Sequence, residues 1–536
     1  MSFFDRLLGR GKRFEDLRTP WGDRPAIYTA LRAAALPDGS LPEDFELPDT
    51  PEPTGGIRWA PGALDGVMSH HVGQSDGSER AASIAEAIVN LTRKASDGGL
   101  KELHERVGEG AILDCVDELA AAISGTADLD ADRLHDLGAF LATHAAEREM
   151  VKLGAALLGM VEGPDDRDVL LTLGACEELT LFAIVAILNR PDFSERDLWA
   201  LAQRTRGWGR IQSVERLAGT SDPAIQRWML REGFRNSVMN EYLAHQCATD
   251  GRLAQALDGE IDDALLAGAA GLLEALINGG PAADIRHYDD GAVAAERFLD
   301  HVAARAEAGL FDLDTVGGVA SLARFVASDR DWRPLEAIGW TPAHREGLGK
   351  VAAAVLAHPE WEAAVEDALD SADQTDRWKG EHLAQLLELD TFERTAARLE
   401  RDPVDHGAWF MLMRQLSSSE RVDRAIAIAE TLPLDTIASG PADELGLGPG
   451  YAAHQCLDVV AQHLDEHPGK GWPLLAASLR SPVIRNRNMA LRALAAWSRA
   501  DWPEEAEPAL EAARDAEPDD DVRERIEAVL DGRPLD

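Results

Sequence analysis

A chain of 536 residues, 45% hydrophobic and 28% charged, exceeds one ordinary compact core; its length implies roughly three or four domains or one extended repeat array. Its 95 Asp and Glu against 53 Lys and Arg leave a net charge of −42, which repels phosphate backbones and anionic lipid and argues against a nucleic-acid partner. Four scattered cysteines (Cys115, Cys176, Cys247, Cys456) without a CxxC argue against a disulfide framework and point to a reducing cytoplasm.

Ala and Leu dominate the apolar residues and β-branched runs are scarce, so helix is expected nearly everywhere. Residues 2–17 form a short amphipathic segment with Phe3, Phe4, Leu7 and Leu8 on one side and Arg6, Arg10, Lys12 and Arg13 adding positive charge. Such a segment docks on its own domain or offers a weak membrane-surface or partner contact. No signal peptide is expected, because Asp5 is acidic and no apolar core follows. Pro37 to Pro53 reads as an acidic, Pro-rich linker or surface loop, and Gly55 to Gly73 as an ordered compact segment.

From Glu79 onward helices follow one another with three-to-four spacing: 81–95, 111–124, 131–147 and 150–161, with Gly, Asp or Pro in the breaks. Asp166, Ser194 and Asp222 are expected N-caps, the last with Pro223 in the first turn. The most apolar run, Leu179 to Leu188, is about half the length of a membrane span and reads as a buried helix. Arg206 to Tyr242 is the most individual block, with three helices in about 40 residues and the look of stacked repeats. Further helices are expected at 292–308, 315–327, 343–356, 361–369, 380–389 and 391–399. Trp409, Leu412 and Leu416 should then face Ala425, Ile428 and Ala429. Gly440 to Gly450 is expected to separate terminal repeats from the body, giving segments 1–54, 55–440 and 441–536.

Several polar groups invite a chemical reading. Asp65, His70 and His71 supply what a first-row metal binds, but adjacent histidines on a helix point about 100° apart, so other ligands would have to come from distant segments. His287, with Asp289 and Asp290, lies in a loop where an aspartate N-cap is the simpler use. His245-Gln246-Cys247 and His454-Gln455-Cys456 are near copies, each with a tyrosine three residues before the histidine; their spacing misses the zinc patterns and suits packing in two equivalent helices. Asp519 to Asp521 reads as a cap and first turn. Arg204, Arg206, Arg210, Arg216, Arg227, Arg231 and Arg235 form the one basic region, scattered over several helix faces, where ion pairing between repeats is the simpler account.

Near the C-terminus, Arg487-x-x-Ala490-x-x-Ala493-Leu494 recurs 36 positions later as Arg523-x-x-Ile526-x-x-Val529-Leu530. This pattern resembles HEAT-like repeats, and the resemblance implies that the arginine and small residues of a second helix pack against the neighbouring unit. Gly62 to His71, Gly207 to Leu217, Phe234 to Tyr242 and Arg487 to Leu494 are together similar to a family of uncharacterised bacterial HEAT-like proteins, some labelled limonene hydroxylase. A hydroxylase would need haem, flavin or non-haem iron; the sequence holds no Cys-ligated haem motif, no GxGxxG after a strand and no facial triad.

The resulting expectation is an all-α protein, an α-solenoid of stacked antiparallel helix pairs, acting as a non-enzymatic cytoplasmic scaffold for a protein partner and needing no cofactor. The binding candidates are Arg206, Trp208, Arg210, Asn236 and Asn240. One alternative is a metal-dependent enzyme or binder using Asp65, His70 and His71; another is a nucleic-acid-binding HEAT-like protein using the Arg204 to Arg235 region.

Overall fold

The computed structural model describes residues 13–50, 62, 77–127, 129–161, 163–310 and 312–535. Asp65, His70, His71 and residues 2–12 lie outside them. Among the described residues there are 29 α-helices and no strand; one isolated bridge joins Glu444 to Val483. No helix among them is long and apolar enough to cross a membrane. The described chain falls into two compact units, 13–358 and 359–535.

In the first unit, Ala131–His144 packs on Arg148–Leu158. Contact then passes in turn to Thr180–Leu188, Trp208–Glu215, Glu241–Asp250, Asp263–Asn278, Leu313–Ala327 and Pro342–Leu356. The helices between these lie against their sequence neighbours, as Asp166–Leu173 does on Thr180–Leu188 and Glu195–Arg204 on Trp208–Glu215. Small residues allow the close approach: a Cβ on Gly154 would come within 2.4 Å of the Ala142 backbone. In the second unit His406–Met413, Ala452–His463, Ile484–Ala496 and Asp520–Asp531 make contact in the same stepwise way. Trp409, Leu412, Ala425, Ile428 and Ala429 share its core, with Leu416 at the edge.

Charged pairs link elements at a recurring distance along the chain. His135 meets Asp166, Arg167 meets Asp197, Arg196 meets Asp222 and Arg231 meets Asp262, at separations of 26 to 31 residues. In the second unit Arg421–Asp390, Arg424–Glu393, Arg485–Asp458, Arg492–Asp465 and Arg487–Glu517 fall in the same range.

Several expected elements take a different form. Helix Asp97–Val107 fills the interval between the expected helices 81–95 and 111–124: the Ser96 side chain accepts from the Gly99 N–H, and Gly98 and Gly99 occupy the uncrowded first turn. Ser194 and Asp222 cap as expected. Asp166 does not; it lies inside the helix, buried, and accepts from the Gly163 N–H and from His135. Asp290 takes the N-cap position of Gly291–Glu307 without a side-chain cap bond. Residues 37–50 are a pinned surface segment rather than a free linker: Leu47 is buried and Asp49 binds both the backbone N–H and the guanidinium of Arg148. Residues 440–444 are tied by backbone hydrogen bonds to the segment 480–484 that follows. Gly440 and Glu444 donate to the Arg480 and Pro482 carbonyls, and Ile484 donates to that of Glu444.

Candidate functional site

The Arg206 to Tyr242 block is built around a carboxylate. Glu177 lies in the turn before helix Thr180–Leu188. Its Oε1 accepts from the Arg206 and Gly207 backbone N–H groups (2.7 and 2.8 Å), and its Oε2 from that of Gly209 (2.5 Å). These donors surround the N-terminus of helix Trp208–Glu215, where unpaired N–H groups and the helix dipole favour an anion. Glycine is needed at the contact: a Cβ on Gly209 would stand 2.6 Å from Thr180 Oγ1 and 2.9 Å from Glu177 Oε2. The nest that could hold a ligand phosphate is therefore filled by the chain's own side chain. Gly62 is buried with φ +72°, and a Cβ there would meet the Glu177 carbonyl oxygen at 2.7 Å.

Arg210 clamps the block. Its Nε donates to the Ala202 and Thr205 carbonyls (2.9 and 2.8 Å) and its Nη1 to that of Arg235 (2.8 Å). Burial lowers its pKa from the ordinary arginine value, and the Glu177 charge acts in the opposite sense. The guanidinium lies 6.0 Å over the Trp228 ring. Trp228 ends helix Pro223–Trp228, which continues as a π-type turn, Met229–Gly233. That turn has the wider spacing often found where helices serve a function. Trp208 is 5% exposed and lies 5.3 Å from Tyr242, ring to ring.

Asn236 and Asn240 close the loop between helices. Asn236 Oδ1 accepts from Val238 and Met239, and its Nδ2 donates to the Phe234 and Met239 carbonyls. Asn240 Oδ1 accepts from the Asn236 N–H, and the Ser237 N–H reaches the Arg206 carbonyl at 2.7 Å. All five candidates from the sequence thus fall in one knot. Arg206, Arg210, Asn236 and Asn240 are engaged there by hydrogen bonds, and Trp208 by packing. The half-exposed Arg206 side chain pairs with Glu43.

Six of the seven arginines in the basic region are turned to partners within the fold. Besides Arg206 and Arg210, Arg204 reaches the Leu171 carbonyl, Arg216 that of Gln212, Arg231 reaches Asp262, and Arg235 the carbonyls of Arg231 and Ala267. Sequence reasoning missed Glu177, which carries no local motif; the glycines around Trp208 were the only hint that something approaches there.

The paired His-Gln-Cys motifs occupy helices Glu241–Asp250 and Ala452–His463. Both cysteines are buried, and both glutamines donate to a backbone carbonyl, Gln246 to Val214 and Gln455 to Gly446. The histidines differ. His245 contacts the His287 carbonyl at 2.9 Å, whereas His454 is 8% exposed with neither ring nitrogen partnered. His287, mostly exposed, is held by Asp284 at 3.0 Å. Among the described residues no group of three or more His, Cys, Asp or Glu could hold a metal ion. The chemistry of the block is thus the mutual satisfaction of helix ends, carbonyls and charges. No protein-family model and no curated protein matches the chain.

Proposed function

We propose that the chain is a non-enzymatic cytoplasmic scaffold, an α-solenoid of HEAT-like repeats that holds a protein partner. The observation that carries this reading is the stepwise row of helices in each unit, with charged pairs recurring at separations of 26 to 31 residues. Repeat stacking produces that regularity, and stacked repeats offer a long continuous surface whose usual use is to hold another macromolecule. Arg487 supports the HEAT-like assignment: it reaches from one helical pair to Glu517, before the last helix of the next. Protein is favoured over nucleic acid because the net charge is −42 and six of the seven arginines of the one basic region are turned to partners within the fold.

Affinity purification of the tagged full-length chain at native abundance, after mild crosslinking, tests the reading. A protein recovered in near-stoichiometric amount, with crosslinks to the helical rows, is the expected result. Recovery of no stable partner overturns it, and stoichiometric metal in the purified protein would move the case to Asp65, His70 and His71.

A further inference from the structure

Helix Thr180–Leu188 holds no charged residue and is apolar all round, the pattern of a helix covered on every side. Most of it is buried, yet Val185 and Leu188, on one face, are 46 and 37% exposed, and Phe193, just after the turn at Arg190, is 39% exposed. Unpaired acid lies close by. Asp165 and Asp168 at the start of helix Asp166–Leu173, and Asp132 in the first turn of Ala131–His144, are exposed, and none of the three has an ion pair among the described residues. Two contacts draw these elements to one edge of the first unit: Asp166 meets His135 at 2.8 Å and Arg190 at 3.4 Å, and Arg190 stands two residues beyond Leu188.

The described chain starts at the same edge. Phe14 lies under the guanidinium of Arg133, at 4.5 Å, one residue along from Asp132. Ahead of Arg13, residues 2–12 carry Phe3, Phe4, Leu7 and Leu8, with Arg6, Arg10 and Lys12 against Asp5 alone. Eleven residues span about 16 Å as a helix and about 37 Å extended. Three side-chain contacts, Phe14 to Arg133, His135 to Asp166 and Asp166 to Arg190, lead from the start of the described chain to the patch, so the patch is within reach. Apolar surface faces apolar surface, and a net positive segment faces unpaired carboxylates.

We infer that residues 2–12 fold back as a strap on this patch. Phe3, Phe4, Leu7 and Leu8 cover Val185, Leu188 and Phe193, and Arg6, Arg10 and Lys12 meet Asp132, Asp165 and Asp168. The contact is intramolecular and keeps the patch from solvent and from other proteins. It is separate from the partner-binding reading, and either stands if the other fails.

Hydrogen exchange of the full chain, read on peptides from 2–12 and 183–193, tests the strap. Residues 3–10 should exchange about tenfold or more slowly than an unstructured peptide, to the same extent in dilute and concentrated protein. Leu188→Asp/Phe193→Asp, at exposed positions, should remove that protection, and Phe3→Ser/Leu7→Ser should speed exchange in 183–193. Melting curves check that each variant is folded; if the first is not, the second decides alone. A carbodiimide should join Lys12 to Asp132, Asp165 or Asp168. Unprotected residues 2–12 in the parent, or exchange unchanged in a folded variant, overturns the proposal. So does protection that grows with protein concentration, which would mean a second copy, or protection seen only with vesicles of phosphatidylcholine and phosphatidylglycerol, which would mean a membrane contact.

Discussion

The Arg487 and Glu517 side chains are each 1% exposed, and all three guanidinium nitrogens are engaged. Nε and Nη2 meet the two carboxylate oxygens at 2.8 and 2.7 Å; Nη1 serves the carbonyls of Ala442, Ser481 and Pro482 at 2.8 to 3.0 Å. Arg487→Met keeps most of the packing volume and removes these bonds. Glu517 then retains one weak contact, from the Asp519 N–H at 3.2 Å, and otherwise becomes a buried charge without a counterion. Breaking a buried pair from one side costs about 3–5 kcal/mol, a large share of the roughly 5–15 kcal/mol that holds a typical domain.

The double variant Arg487→Met/Glu517→Leu separates the charge from the bonds. With both charges gone the desolvation penalty disappears, and replacing a buried pair by apolar residues is often neutral or stabilising. What remains is the loss of a donor to three carbonyls, at roughly 1 kcal/mol for each that water cannot reach. The double variant should therefore be at least about 2 kcal/mol more stable than Arg487→Met. Urea unfolding of the full chain measures this, with hydrogen exchange in Asp520–Asp531 and residues 440–446 assigning the transition to the second unit. Arg487→Met within about 1 kcal/mol of the parent, or a double variant no better than the single, would refute the argument.

Burial pushes the Cys176 and Cys456 thiols up to about 12, and raises Cys115 and Cys247 as well, so Ellman's reagent at pH 8 should label less than one thiol per native chain and four in urea; rapid labelling of two or more native thiols contradicts the packing. Burial holds His454 below the ordinary histidine value, against the pull of Glu444, so below about pH 6.5 the unfolded chain takes up a proton that the folded site resists. This group's stability contribution is complete above that pH and is lost as pH falls through the folded value; His454→Leu should lose less urea resistance than the parent between pH 7 and 5.5, and parallel losses would exclude His454 as the cause. Gly209→Ala forces a methyl into Thr180 and Glu177 and should cost about 1–3 kcal/mol, as overpacking does, whereas Gly219→Ala meets no atom and tests only the cost of its positive φ; equal melting of parent and Gly209→Ala would mean the nest yields freely.

The helical character was legible because it depends on composition and local spacing, which act within a turn or two. Ser194, Asp222 and Asp519 cap their helices as their positions suggested, since a cap needs only the next three residues. Asp166 looked the same and does otherwise, because His135, 31 residues away, competes for its carboxylate. Glu177 was invisible for the same reason: its partners are 29 to 32 residues downstream and their own identities matter little, since the donors are backbone groups. Gly209, and less closely Gly207, record the contact through the absence of a side chain. Asp49 could not be separated from its acidic surroundings until Arg148, 99 residues later, selected it.

The same distinction bears on where recognition can occur. The residues most conspicuous in the sequence between Arg206 and Tyr242 are conspicuous because the fold needs them. Trp208 is withdrawn from solvent, Arg210 spends its donors on carbonyls of the fold, and Asn236 and Asn240 spend their side chains on the loop they close. A partner reading this block would meet what the knot leaves outside: the exposed Val238 and Met239 at the loop tip, and the Arg206 side chain against Glu43. If a partner binds at this block as proposed, substituting Trp208 or Arg210 should abolish binding by loosening the frame, whereas Met239→Glu should weaken it with the melting temperature unchanged. The two kinds of loss must therefore be separated by measuring stability alongside binding.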